Sequence, residues 1–183
     1  MSLRIMQITS ALCLAACGAA PTESSAQQSS SGRPFAVADV TSFDSPWAMT
    51  FLPGSGVPLT DMALVTEKGG RLWLVDTSSG QKQQVAGIPS VKVAGQGGLG
   101  DVVAHPDFAG NQRIYLSYAE AGPNGTSGAA LGYGRLVLGQ GQPRIEDFKV
   151  IWRQSPKVTG DGHFGHRIAF APDGSIYLSS SDR

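Results

Sequence analysis

The feature that most constrains this chain is a motif that recurs three times: an apolar run, a proline turn and a second apolar run. The first copy is Trp47-Ala48-Met49-Thr50-Phe51-Leu52-Pro53, then Met62-Ala63-Leu64-Val65-Thr66-Glu67. The second is Asp101-Val102-Val103-Ala104-His105-Pro106-Asp107, then Arg113-Ile114-Tyr115-Leu116-Ser117-Tyr118. The third is Arg167-Ile168-Ala169-Phe170-Ala171-Pro172-Asp173-Gly174, then Ser175-Ile176-Tyr177-Leu178-Ser179-Ser180. The turns explain themselves. In Pro172-Asp173-Gly174 the proline fixes φ, the aspartate offers a side-chain acceptor and the glycine accepts positive φ. Pro106-Asp107 opens the equivalent turn and Gly110-Asn111 completes it.

Pro53, Pro106 and Pro172 are 53 and 66 residues apart. An interval of that size holds four short strands with their loops, which is one blade of a β-propeller. Further strands are expected at Arg71–Asp76, Gly134–Leu138 and Lys149–Arg153, and no amphipathic helix of useful length is visible. Composition agrees: 24 Gly and 11 Pro in 183 residues give about twice the usual ~7% glycine. The expected fold is all-β. Propellers close with about 4–8 blades, and this length holds about three. The chain is therefore expected to be an N-terminal portion of a longer protein.

Lys and Arg total 14, as do Asp and Glu, so the net charge is zero. That excludes the basic footprint of a nucleic-acid binder. With 41% apolar and 15% charged residues, the chain as a whole is too apolar for disorder.

The first residues read as an address. Met1–Ala16 carry one charge, Arg4, and the apolar run Ile8–Ala16 is shorter than the ~20 residues a membrane span needs. It has the form of a secretory h-region. The run ends in Leu14-Ala15-Ala16-Cys17, a bacterial lipobox in which the Cys17 thiol takes the lipid. Cys13 would leave with the signal, so the mature chain would hold one cysteine and no disulfide. Residues 18–32, GAAPTESSAQQSSSG, form a flexible tether with a reach of about 20 Å. The expected organisation is a lipoprotein signal at 1–16, Cys17 and tether through 34, and the propeller portion at 35–183. The expected location is the bacterial cell envelope, lipid-anchored and facing the periplasm or the exterior.

Two glycine-rich loops enter inner strands: Ala94-Gly95-Gln96-Gly97-Gly98-Leu99-Gly100-Asp101 and Gly160-Asp161-Gly162-His163-Phe164-Gly165-His166-Arg167. Glycine lets backbone approach a ligand closely. His163 is the candidate base, because an imidazole can take a proton near neutral pH. Asp182 lies 19 residues on, where a two-strand hairpin returns beside its start, and a carboxylate there would fix the imidazole tautomer. Gln96 could hydrogen-bond a ligand. His166 is an odd number of residues from His163, so it points to the opposite face and packs or meets solvent. His105 reads as structural. No P-loop, C-x-x-C, H-E-x-x-H or G-x-S-x-G is present, and the Gly95–Gly98 run does not lead from a strand into a helix, as a dinucleotide fold would need.

These segments resemble the soluble PQQ-dependent sugar dehydrogenases, the glucose/sorbosone dehydrogenase family, with the aldose sugar dehydrogenase branch nearest. The resemblance is carried by Pro46-Trp47-Ala48, Leu64 through Leu72, Gly95-Gln96-Gly97-Gly98-Leu99, and Asp101 with His105-Pro106-Asp107-Phe108. It continues through Tyr115-Leu116-Ser117-Tyr118, Val150 through Gln154, Pro156-Lys157, His163-Phe164-Gly165, Arg167, and Gly174 through Arg183. The resemblance implies a six-bladed β-propeller that oxidises an aldose to a lactone and passes electrons to an external acceptor. It implies PQQ and Ca²⁺ as cofactors and His163 as base. Asp182 would orient it, and Gln96, Asp101, Arg167 and Arg183 would be pocket residues. The cations for the PQQ carboxylates and the Ca²⁺ ligands are expected beyond residue 183, so no metal ligand is expected in this chain, and the chain alone is expected to be inactive.

Three positions depart from the family pattern. Gly100 stands where a larger aliphatic residue is usual, His166 where Gly or Ser is usual, and Ser181 where Gly is common. The alternative to the enzyme is a non-catalytic propeller lipoprotein that binds sugars or envelope partners.

Overall fold

A computed structural model describes residues 35–54, 61–139 and 141–182. Cys17, the signal and tether (1–34), and Arg183 lie outside the described residues. By its internal contacts the chain divides into Met1–Ala38 and Asp39–Arg183, and all strands belong to the second unit.

Among the described residues, ten strands form three antiparallel sheets. The first is a meander of β1 (Pro46–Phe51), β2 (Met62–Glu67), β3 (Arg71–Asp76) and β4 (Lys82–Gln84), paired in that order. The second repeats it with β5 (Leu99–Ala104), β6 (Arg113–Ala121), β7 (Ser127–Val137) and β8 (Arg144–Arg153). The third is the hairpin β9 (Ile168–Phe170) and β10 (Ile176–Leu178). Two four-stranded meanders and the start of a third give the all-β, blade-by-blade order that the repeat predicts. The outer strands are longer than expected. β7 begins at Ser127 rather than Gly134, and β8 at Arg144 rather than Lys149. Between β5 and β6 the chain makes a single helical turn, α1 (Phe108–Asn111), which ends on Gln112 at φ +52. The sequence suggests only a bend there.

Strand β6 shows why the sheets stack. Its residues are buried from Ile114 to Ala119, and alternation splits them between two faces. Ile114, Leu116 and Tyr118 join Leu64, Leu72, Leu74 and Val85 of the first sheet in one core. Tyr115 turns the other way, to Leu131 and to Ile168 of the third sheet. A strand covered on both faces reads as a continuous apolar run, as this one does.

One hydroxyl oxygen recurs at the junctions. Met49 pairs with Val65, Val102 with Leu116 and Ile168 with Leu178, so Thr66, Ser117 and Ser179 occupy the same position in their sheets. Each accepts an amide of its own inner strand: Ala48 N at 3.0 Å, Asp101 N at 2.9 Å and Arg167 N at 3.0 Å. Thr66 then donates to Gly100 O at 2.7 Å, and Ser117 to His166 O at 2.6 Å. Gly100 lies in β5 of the following sheet, and His166 in the loop that leads into β9. Thr66 and Ser117 are fully buried; Ser179 is exposed.

A buried carboxylate reinforces the second junction. Asp101, 2% exposed, accepts Val102 N at 3.0 Å and Ile168 N at 2.8 Å, and Arg167 Nη1 at 3.1 Å. A buried donor or acceptor left without its partner costs about 1–3 kcal/mol. Ser117→Ala strands both Asp101 N and His166 O, so it should lower unfolding stability by about that amount or more, while Ser117→Thr should cost less. The urea midpoint checks this; an unchanged midpoint in Ser117→Ala would rule out the hydroxyl as a junction.

Candidate functional site

The loop from Gly160 to Arg167 rises from the junction between the second and third sheets. Exposure alternates along it: His163, Gly165 and Arg167 are exposed, whereas Phe164, His166 and Ile168 are buried. That is the period of extended chain, and it places His163 and His166 on opposite faces as their odd spacing predicts. The backbone is held in unusual conformations. His163 has φ +58, Gly165 φ +80 and His166 φ +77. At Gly165 a Cβ would stand 2.4 Å from Ser179 O, so glycine is required for the loop to lie against β10.

The structure brings His163 and Asp182 together. His163 Nδ1 and Asp182 Oδ1 are 2.6 Å apart. The hairpin is the cause: Ser179 N bonds Arg167 O at 2.8 Å and His166 N bonds Ser179 O at 3.1 Å, which returns the chain beside the loop. The hydrogen bonds from His163 and from Ser181 hold the Asp182 carboxyl below its usual range. Asp182 is therefore ionised near neutral pH and can only accept. Nδ1 must carry the hydrogen, and the lone pair of the neutral ring sits on Nε2. Both side chains are open to solvent.

Gln96 lies across the same loop. Its Oε1 accepts His163 N at 2.8 Å, and its own N–H reaches Asp161 O at 2.6 Å. The two glycine-rich loops are thus tied together through Gln96, which holds the backbone of His163. Asp101 lies beneath the loop with both oxygens engaged by protein groups, and Arg167 reaches down to it from the surface. The family resemblance implies both as pocket residues; here Asp101 is buried in the sheet junction, while the Arg167 side chain is largely exposed. His105 is packed, its ring 6.1 Å from Tyr115 and 5.4 Å from Phe170, and its Nδ1 accepts Asp107 N at 3.0 Å. The hydroxyls of Ser117 and Ser179 were missed by motif reading. The visible signal was the Thr or Ser at the same place in each copy of the repeat.

A PQQ group would bring three carboxylates. The described residues offer it an exposed imidazole and an open glycine loop, where a Cβ on Gly160 would meet nothing within 4 Å. The nearby cations are engaged: Lys68 with Gly95 O, Lys92 with Asp161 and Arg167 with Asp101. The residues present fit the reacting side of the group and not its carboxylates. Among the described residues no cluster of His, Cys, Asp or Glu could hold a metal ion. A separate apolar cleft of about 380 Å³, lined by Leu131, Ile151, Trp152, Ile176 and Leu178, lies between the second and third sheets, away from His163.

His166 is 2% exposed. Its ring stacks on Phe164 at 5.5 Å and meets Trp47 edge-on at 6.0 Å. Neither ring nitrogen has a partner among the described residues. Burial pushes its pKa down to about 4. Between about 6.5 and about 4 the unfolded chain binds the proton and the folded chain does not. Stability from this group is therefore complete above pH 6.5 and falls as pH drops to 4, by about 3 kcal/mol. Urea midpoints should fall across that window in the unmodified chain and stay flatter in His166→Phe. Parallel curves would show that His166 does not carry the effect.

Comparison with known proteins places this geometry. The family model for glucose/sorbosone dehydrogenases matches residues 43–183. The aldose sugar dehydrogenase YliI of Escherichia coli is 40% identical over 136 residues, covering 74% of this chain and 35% of that protein. A crystal structure of a glucose dehydrogenase superposes with a TM-score of 0.67 at 42% identity, covering 75% of this chain and 38% of the other. The PQQ-bound form of an aldose sugar dehydrogenase from Streptomyces coelicolor superposes with a TM-score of 0.63 at 26% identity, covering 76% of this chain and 39% of the other. The chain thus spans little more than a third of the length of the relatives it matches. On the extent of the family match and the identity to YliI, this chain belongs to the glucose/sorbosone dehydrogenase family.

Proposed function

We propose that this chain forms the base-bearing part of a quinoprotein oxidoreductase that oxidises an aldose at its anomeric carbon to the lactone. The observation that carries the reading is the His163–Asp182 pair, 2.6 Å apart on an exposed glycine-rich loop, in a chain of this family. A PQQ-bound relative supports the cofactor assignment; Ca²⁺ as its partner ion rests on the family resemblance alone.

Asp182 accepts from Nδ1, so Nε2 of His163 presents a lone pair outward. That atom takes the proton of the anomeric hydroxyl while the carbon–oxygen bond gains double-bond character and hydride leaves the carbon. The ring becomes imidazolium, and the Asp182 carboxylate stabilises that charge. Gln96 keeps the His163 backbone in place. PQQ, when bound, supplies the carbon that accepts the hydride, and an external acceptor later removes the electrons. The groups that would hold its carboxylates belong to the part of the family fold that this chain does not span.

A general base contributes about 10²–10⁴-fold to rate. In an enzyme carrying all its blades, His163→Ala should lower turnover by at least that factor while PQQ still binds. Asp182→Asn should lower it less and leave binding intact. Dye reduction with an aldose measures the first, quinone absorbance the second; undiminished turnover in His163→Ala would refute the role. The 183 residues alone, given PQQ, Ca²⁺ and glucose, should not reduce the dye above background.

The Leu14–Cys17 motif supports anchoring of the mature chain by a lipid on Cys17, at a bacterial membrane facing the periplasm or exterior. In a bacterial host, labelled palmitate should enter the protein and be lost in Cys17→Ser. Label retained in that variant would end the lipoprotein reading.

A further inference from the structure

Gly100 and His166 lie far apart in sequence and form one feature in space. The repeat register makes them equivalent positions, each immediately before the residue whose amide is taken by the junction hydroxyl. A Cβ built on Gly100 would stand 2.6 Å from His166 Cγ, 2.8 Å from its Cβ and 2.9 Å from its Nδ1. All three nearest atoms belong to one side chain. Gly100 has no positive φ that would call for glycine; the His166 side chain, from its Cβ into its ring, stands where a larger residue would go. His166 is the reverse case. Its φ of +77 suits glycine, yet it carries a full ring whose nitrogens bond nothing described. The ring's role is therefore spatial. It fills the room over Gly100 and lies against Phe164, with 16° between the planes. Phe164, itself buried, is the neighbour of His163.

We propose that Gly100 and His166 are a size-matched pair, and that the His166 ring is a positioning residue for His163, acting through Phe164. The base loop is thereby built down onto the strand beneath it. This inference rests on the reading of His163 as the base.

The test is a double-mutant cycle in the full chain, read by the ring ¹H–¹³C resonances of His163 and by the unfolding midpoint. Gly100→Val forces the ring out; His166→Gly leaves a void and frees Phe164. Each should displace the His163 resonances. The double variant moves the bulk to the strand and should return them towards those of the unmodified chain, as should His166→Phe, which keeps a ring without nitrogens. Leu74→Ala, in the core of the first sheet, should lower the midpoint without moving His163. The proposal is overturned if His166→Gly leaves the resonances in place, if the two single shifts simply add in the double variant, or if Leu74→Ala moves them equally. Should Gly100→Val not fold, His166→Gly and His166→Phe decide the matter between them. Failure of the functional reading would look different: His163→Ala would retain turnover in the complete enzyme whatever the resonances do.

Discussion

The oxygen of a serine or threonine accepts one hydrogen bond and donates another, and the sheets of this chain are registered by that property. Thr66 and Ser117 each accept a hydrogen bond from an inner-strand amide of their own sheet and donate one onward, Thr66 to Gly100 O in the next sheet and Ser117 to His166 O at the entry to the third. The two bonds on one atom fix two things together: the pairing of strands within a sheet and the spacing between sheets. Apolar packing would not do both, because packing is not directional; at the first junction backbone bonds help, Leu99 N to Lys68 O at 3.2 Å and Ile145 N to Ala86 O at 2.8 Å. The buried Asp101 carboxylate adds a charged tie at the second junction.

The candidate site stands on that junction. His166 O is held by Ser117, His166 N by Ser179, and Ile168 N by Asp101, so the foot of the loop is fixed from three sides. Above it, Gln96 holds His163 N and Asp182 holds Nδ1. Positive φ at His163, Gly165 and His166 is tolerated because these contacts over-determine the path. The exposed half of the loop, which carries the chemistry, is tied in turn: Ser127 Oγ donates to Gly160 O, Gln96 N to Asp161 O, and Lys92 pairs with Asp161.

Much of this was legible in the sequence. Proline turns at a blade-sized interval disclosed the sheets, because Pro, Asp and Gly act locally. The His163–Asp182 contact followed from hairpin length, again a local argument. The extent of β7 was hidden because Gly128, Gly132 and Gly134 break the apolar pattern, although small residues are needed there: a Cβ at Gly134 would stand 2.3 Å from Ile145 Cγ2. The helical turn at Phe108 was masked by turn residues that serve both outcomes. Asp101 and Arg167 were implied as pocket residues by the family resemblance; that Asp101 is held by Arg167 and Ile168 N is a long-range contact that local pattern does not reveal. The match of Gly100 to His166 is likewise long-range, and each looked odd only while considered alone.

Sharing one oxygen between two sheets has a consequence for how the chain folds. Each meander closes mostly on near neighbours in sequence, so a sheet can form early and cheaply. The junction hydroxyl is satisfied only when the following inner strand, later in the sequence, arrives. Stability then accrues sheet by sheet, each interface rewarding the one before it, as in a linear array with nearest-neighbour coupling. In such an array the base loop matures late, since it waits on both the second sheet beneath it and the return of the third.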